Sequence, residues 1–108
     1  MGAETFTNIV DDETDVNKAF NKAVEQANYD YGHSGYTGLI AEKGDYVIIK
    51  PIIEAVSAED AVTLADELID NGDQRIDDKW GPAGAIAITE KGNETNHSGW
   101  LFVGWASA

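Results

Sequence analysis

Residues 80–92 read WGPAGAIAITEKG, and the strand-like part, Gly84–Thr89, shows no polar alternation. A strand solvated on one face alternates apolar and polar residues, while a strand covered on both faces is apolar throughout. Ala85, Ile86, Ala87 and Ile88 follow the second pattern, as do Trp100–Val103 and Tyr46–Ile49. Both faces of the sheet therefore need cover. If both helices of the chain pack on one face, the other is left as an apolar patch, which marks an interface. A homodimer packed sheet against sheet is the economical expectation. The alternative is that the N-terminal segment, the Ile52–Val56 connector or the Trp80 region folds back over that face.

A second stretch resembles the first. YGHSGYTGLIAEKG at 31–44 and WGPAGAIAITEKG at 80–92 both read aromatic-Gly, a short turn, Gly, a branched strand and Glu-Lys-Gly. Gly38, Ile40 and Ala41 align with Gly84, Ile86 and Ala87, and Lys43-Gly44 aligns with Lys91-Gly92 after a two-residue insertion. A helical pattern precedes each copy. From 15 to 30, Val16, Phe20, Val24, Ala27 and Tyr31 recur at spacings of three and four after the capping candidates Asp12, Thr14 and Asp15. From 58 to 70, Ala61, Val62, Ala65, Leu68 and Ile69 form a stripe, with Ser57 and Asp60 at the start and Asn71-Gly72 at the end.

The strand expectations are Thr37–Glu42 and Tyr46–Lys50 around Lys43-Gly44-Asp45, Gly84–Thr89 and Trp100–Ala106 around a longer loop, and Thr5–Val10 before the first helix. The order is (β)αββαββ. This is an α+β fold: two αββ units, about 15–50 and 57–106, form a mainly antiparallel sheet of four or five strands with two helices on one face. The 108 residues make a single domain.

Charge is the strongest feature of the composition: 20 acidic against 7 basic residues, net −13. Direct binding to nucleic acid or to an anionic membrane is disfavoured, because both need a basic footprint. The acidity fits salt adaptation, a surface that steers toward a basic protein partner, or cation binding. No cysteine is present, which removes thiolate chemistry and disulfides. No signal peptide or membrane span is visible, and a cytoplasmic protein is expected by elimination.

The two histidines lie in HSGY (33–36) and HSGW (97–100). His33 and His97 are weak catalytic or metal-ligating candidates, as is a Glu42–Glu90 carboxylate pair. No metal-ligand spacing or nucleophile elbow accompanies them, and DNGDQRIDD at 70–78 matches a calcium loop in composition only. No cofactor and no specific metal site is expected. The HSG copies fall at different places in the two halves, so each reads more simply as a turn that leads into a strand. The tyrosines, with Trp80, Trp100 and Trp105, lack the basic residues of a base-stacking platform, and Arg75 is the sole arginine.

The acids of the second helix and its exit, Asp66, Glu67, Asp70, Asp73, Asp77 and Asp78, are the expected partner-binding set. Carboxylates on a rigid helix can imitate a row of phosphates. YGHSGYTG followed by LIAEK resembles small uncharacterised proteins of phages and their prokaryotic hosts. That resemblance covers about a dozen residues, and no activity or site residue is carried over from it. It raises the expectation of a virus-associated accessory protein. The leading expectation is an acidic binding protein, an inhibitor that mimics nucleic acid toward a basic partner. A salt-adapted accessory protein and a small enzyme or metal-binding protein built on His33 and His97 are the alternatives.

Overall fold

Side-chain oxygens start both helices. Asp15 Oδ1 accepts from the Lys18 amide at 3.0 Å and begins α1 (Val16–Tyr31). Ser57 Oγ accepts from the Asp60 amide at 3.2 Å and begins α2 (Ala58–Asp70). Each contact satisfies an amide that the first helical turn leaves without a carbonyl. At the end of α2 the Gly72 amide donates to the Ile69 carbonyl and the Asp73 amide to the Leu68 carbonyl. Gly72 sits at φ 62°, where glycine avoids the Cβ penalty of the left-handed region.

This computed structural model describes residues 3–31, 40, 43–78, 81–89 and 97–107. The strands are β1 (Ala3–Val10), β2 (Tyr46–Lys50), the two-residue β3 (Val56–Ser57), β4 (Ala83–Thr89) and β5 (His97–Ser107), with a 3-10 turn at Ile52–Glu54 between β2 and β3. They form one sheet in the order β1-β5-β4-β2, and β3 continues the β2 edge alongside β4. β5 is antiparallel to both β1 and β4, while β2 and β3 run parallel to β4. The fold is therefore α+β with a mixed, mostly antiparallel sheet. No helix among the described residues is long and apolar enough to cross a membrane.

The helices take opposite faces of the sheet, which corrects the expectation that both lie on one. Successive side chains of a strand point to opposite sides. Ala83, Ala85 and Ala87 of β4 and Trp100, Phe102 and Ala106 of β5 pack with Ala19, Phe20, Ala23 and Ala27 of α1. Their neighbours Ile86, Ile88, Leu101 and Val103 pack with Ala61, Ala65 and Leu68 of α2. Topology supplies the reason. The β1–α1–β2 connection crosses β5 and β4 to the far edge, and the β3–α2–β4 connection comes back. Right-handed crossovers that move in opposite directions across a sheet place their helices on opposite faces.

Double cover explains why β4 is buried at every position and why its sequence never alternates. The face that motivated the homodimer expectation is already occupied by α2. The alanines on the α1 side leave room for rings: Phe20 and Phe102 meet edge to face at 5.5 Å, and Phe20 lies 5.2 Å from Tyr46. Burying Phe102 contributes roughly 1.5–3 kcal/mol.

Of the expected hairpin Thr37–Glu42 with Tyr46–Lys50, only Ile40 and the residues from 43 onward are described. Ile40 lies in a 3-10 turn with its side chain fully buried in the α1 layer. Among the described residues β2 has β4 as its neighbour.

Candidate functional site

β1, β3 and β4 all end at the same side of the sheet, where α1 and α2 begin and β5 enters. Ser57 pairs with Thr89, Thr89 pairs with His97, and Val10 pairs with Trp100. The register between β4 and β5 slips here: Ile88 faces Gly99 and Thr89 faces His97, so Ser98 is an extra, bulged residue. A cavity of about 520 Å³ opens beside it, lined by Ile9, Asp11, Ser57, Glu59, Thr89 and Ser98 among others. Its hydroxyls are already engaged where they can be followed. Ser57 Oγ caps α2, and Ser98 Oγ donates to the Ile88 carbonyl at a long 3.5 Å.

The HSG of residues 97–99 has a structural explanation. A Cβ built on Gly99 would lie 2.1 Å from the Val10 carbonyl oxygen and 2.7 Å from Asp11 Cα. Only glycine lets the end of β1 pass this close to β5. His97, Ser98 and Gly99 already lie within β5, so the strand begins three residues before Trp100, where the turn-to-strand reading would start it. The His97 side chain lies outside the described residues, as do His33, Glu42 and Glu90 entirely. Among the described residues no group of three metal-ligating side chains converges.

The expected partner-binding acids separate into two groups. Asp66, Glu67 and Asp70 are exposed on α2, turned away from the buried stripe Ala61, Ala65 and Leu68. Glu59 adds to the same outer side, seven residues before Asp66. Asp66 and Asp70 are one turn apart, about 6 Å along the axis. Among the described residues no basic side chain lies within ion-pair distance of these four.

The other group is tied to the fold. Asp73 holds Arg75 through both carboxylate oxygens, with Arg75 Nε 3.0 Å from Oδ1 and one terminal nitrogen 2.9 Å from Oδ2. Hydrogen bonds from the Arg75 side chain and amide hold the Asp73 pKa down at about 2. Asp77 is exposed. The Asp78 carbonyl accepts from Lys43 Nζ at 3.2 Å, and the Gly81 carbonyl accepts from it at 2.8 Å.

Lys43 is the residue whose importance the sequence concealed. It reads as a turn-flanking charge, yet it is only 5 % exposed and ties the turn before β2 to the loop before β4. Burial lowers its pKa, and the Asp78 charge acts in the opposite direction. The shared Glu-Lys-Gly of the two halves is the sole sequence hint.

The last surface feature is the outer edge of β1, to which no described strand is paired. Ile9 is 46 % exposed there and borders cavities on both sides of the sheet. These features define a small acidic α+β protein with a sheet edge that no described strand pairs and an acidic helix surface. No protein-family model matches the chain, no curated protein matches its sequence significantly, and no solved structure matches its fold significantly.

Proposed function

We propose that the chain is an acidic binding protein that presents carboxylates to a basic protein partner, as a virus-associated inhibitor mimicking nucleic acid would do. The observation that carries this reading is the outer side of α2. Glu59, Asp66, Glu67 and Asp70 stand exposed on a helix anchored to the sheet, with no described cation within ion-pair distance. The net charge of −13 adds long-range attraction for a basic surface and repels nucleic acid itself. Fixing the carboxylates on a rigid element lowers the ordering cost of an interface.

The test is capture of basic nucleic-acid-binding proteins from host lysate at low and high salt, with duplex DNA as a competitor. The reading expects retention at low salt, release at high salt, and displacement by DNA. The triple variant Asp66→Asn, Glu67→Gln, Asp70→Asn should lose most of the retention. Equal capture by the variant, or capture that DNA does not displace, overturns the mimic reading.

A further inference from the structure

We infer that the outer edge of β1, unpaired among the described residues, is a docking site for an extended basic peptide segment of a protein partner, which adds to the sheet as a further strand. This rests on the acidic-binding reading and adds to the α2 surface a second, separate contact with its own geometry. An edge strand presents a row of backbone donors and acceptors, and natural sheets blunt such edges with lysine, proline, bulges or a covering element. β1 reads AETFTNIV, eight residues with neither lysine nor proline. Its ladder with β5 runs unbroken from Ala3 to Val10. Among the described residues nothing pairs with its other side.

Recognition by strand addition needs pockets for alternate side chains on the two faces of the extended sheet. The β1 edge has them. On the α1 face a cavity of about 590 Å³ lies beside Val10, Ala23 and Gln26. On the α2 face the cavities share Ile9 with Ala58, and Val62 adds exposed apolar surface. Both faces therefore combine a short apolar floor with an open side.

Charge selects the occupant. Exposed Asp11, Asp12, Glu25 and Glu59 border these cavities, while the cation among the lining residues, Lys22, lies 3.6 Å from Asp12 and 3.8 Å from Glu13. Tyr29, 88 % exposed at the rim, offers a ring face to a lysine or arginine. A second copy of this chain paired β1 to β1 would bring the same carboxylates together, which disfavours that occupant. In an added strand, a lysine or arginine at every second residue puts the cations on one face, where Asp11, Asp12, Glu25 and Tyr29 border the α1-side cavity, and the apolar residues between them on the other, beside Ile9, Ala58 and Val62.

The test uses a labelled eight-residue peptide of alternating lysine and valine, with the glutamate–valine peptide as control. Anisotropy should show salt-dependent binding of the basic peptide alone, and Ile9→Lys should weaken it at least tenfold. The triple variant at Asp66, Glu67 and Asp70 should stay within about twofold of the parent. Amide shift mapping on the unmodified protein should place the changes on Ala3–Val10, with new hydrogen-exchange protection along β1. Changes centred on Asp66–Asp70 without protection of β1 overturn the edge site and leave the acidic-binding reading standing. Absence of peptide binding while a basic protein is still captured does the same. Absence of both overturns both. A dimer whose protected amides map to β1 replaces the peptide with a second copy and overturns the inference.

Discussion

Gly99→Ala is the sharpest test of how β1 and β5 meet. The new Cβ would stand 2.1 Å from the Val10 carbonyl oxygen, whereas ordinary contact begins near 3.4 Å, so about 1.3 Å of displacement is required. The atoms in the way are backbone, at 2.7 Å and 3.0 Å for the next two, and no side-chain rotation relieves them. Overpacking of a closed site costs roughly 1–3 kcal/mol. Forcing β1 away near Val10 and Trp100 sacrifices one or two ladder hydrogen bonds, each worth about 1 kcal/mol. The expected loss is therefore about 3 kcal/mol, a fall in Tm of roughly 12 °C or more for a domain of this size.

Two other glycines calibrate the result. A Cβ on Gly84 meets Ile76 Cγ2 at 2.9 Å and Ile49 Cγ1 at 3.0 Å, side-chain atoms that can yield, so Gly84→Ala should cost about 1 kcal/mol. Gly44 has nothing within 4 Å, and Gly44→Ala should stay within about 0.5 kcal/mol. Urea unfolding of the three variants, followed by tryptophan fluorescence, gives the ranking. If Gly99→Ala unfolds like Gly44→Ala, β1 does not pass this close to β5, and the explanation of the second HSG is wrong.

Trp100→Phe removes the indole N–H that donates to the Thr14 carbonyl at 2.8 Å, linking the approach to α1 with β5. Water can reach Thr14, so about 1–2 kcal/mol of destabilisation is expected in urea, and no loss would refute the link. Lys43→Met leaves the Asp78 and Gly81 carbonyls without this donor and should cost about 1–3 kcal/mol at pH 7. Because burial lowers the Lys43 pKa, the folded state favours the neutral amine. Wild-type stability relative to Lys43→Met should therefore rise as the pH moves up toward 10.5, and a falling difference between pH 7 and 9.5 would contradict the assignment. Asp73 behaves oppositely: its pKa of about 2 against a usual 3.8 adds stability above pH 4 that is lost as the pH falls through 2. With Arg75 half exposed, screening holds that contribution to about 1 kcal/mol or less, and Arg75→Gln should shrink the difference between pH 5.5 and 2.5 by that amount.

Local signals were legible wherever they act through near neighbours in the chain. The stripe and caps of α2 place it at 58–70 from sequence, where the structure has it, because capping and helical spacing are short-range effects. β2 likewise occupies the predicted 46–50, but it is only half-buried with Ile48 exposed, which corrects the expectation that Tyr46–Ile49 is covered on both faces. The outward position of Asp66, Glu67 and Asp70 follows from the same periodicity. The burial of Lys43 was not legible, since its partners Asp78 and Gly81 are 35 and 38 residues away.

What the sequence by itself determined is the α+β class, the two helices, the double burial of β4 and of Trp100–Val103 in β5, and the acidity. All of these rest on periodicity or composition. Tertiary structure alone decided which helix covers which face. The sequence of β4 states that both faces are buried but not by what, because the same apolar pattern serves a partner molecule as well as α2. Strand order supplied the answer: the path to β2 at one edge and back to β4 puts α1 and α2 on opposite sides. The same order leaves β1 at the other edge, where its outer backbone, unpaired among the described residues, and the bordering carboxylates are set by position in the sheet rather than by any local motif.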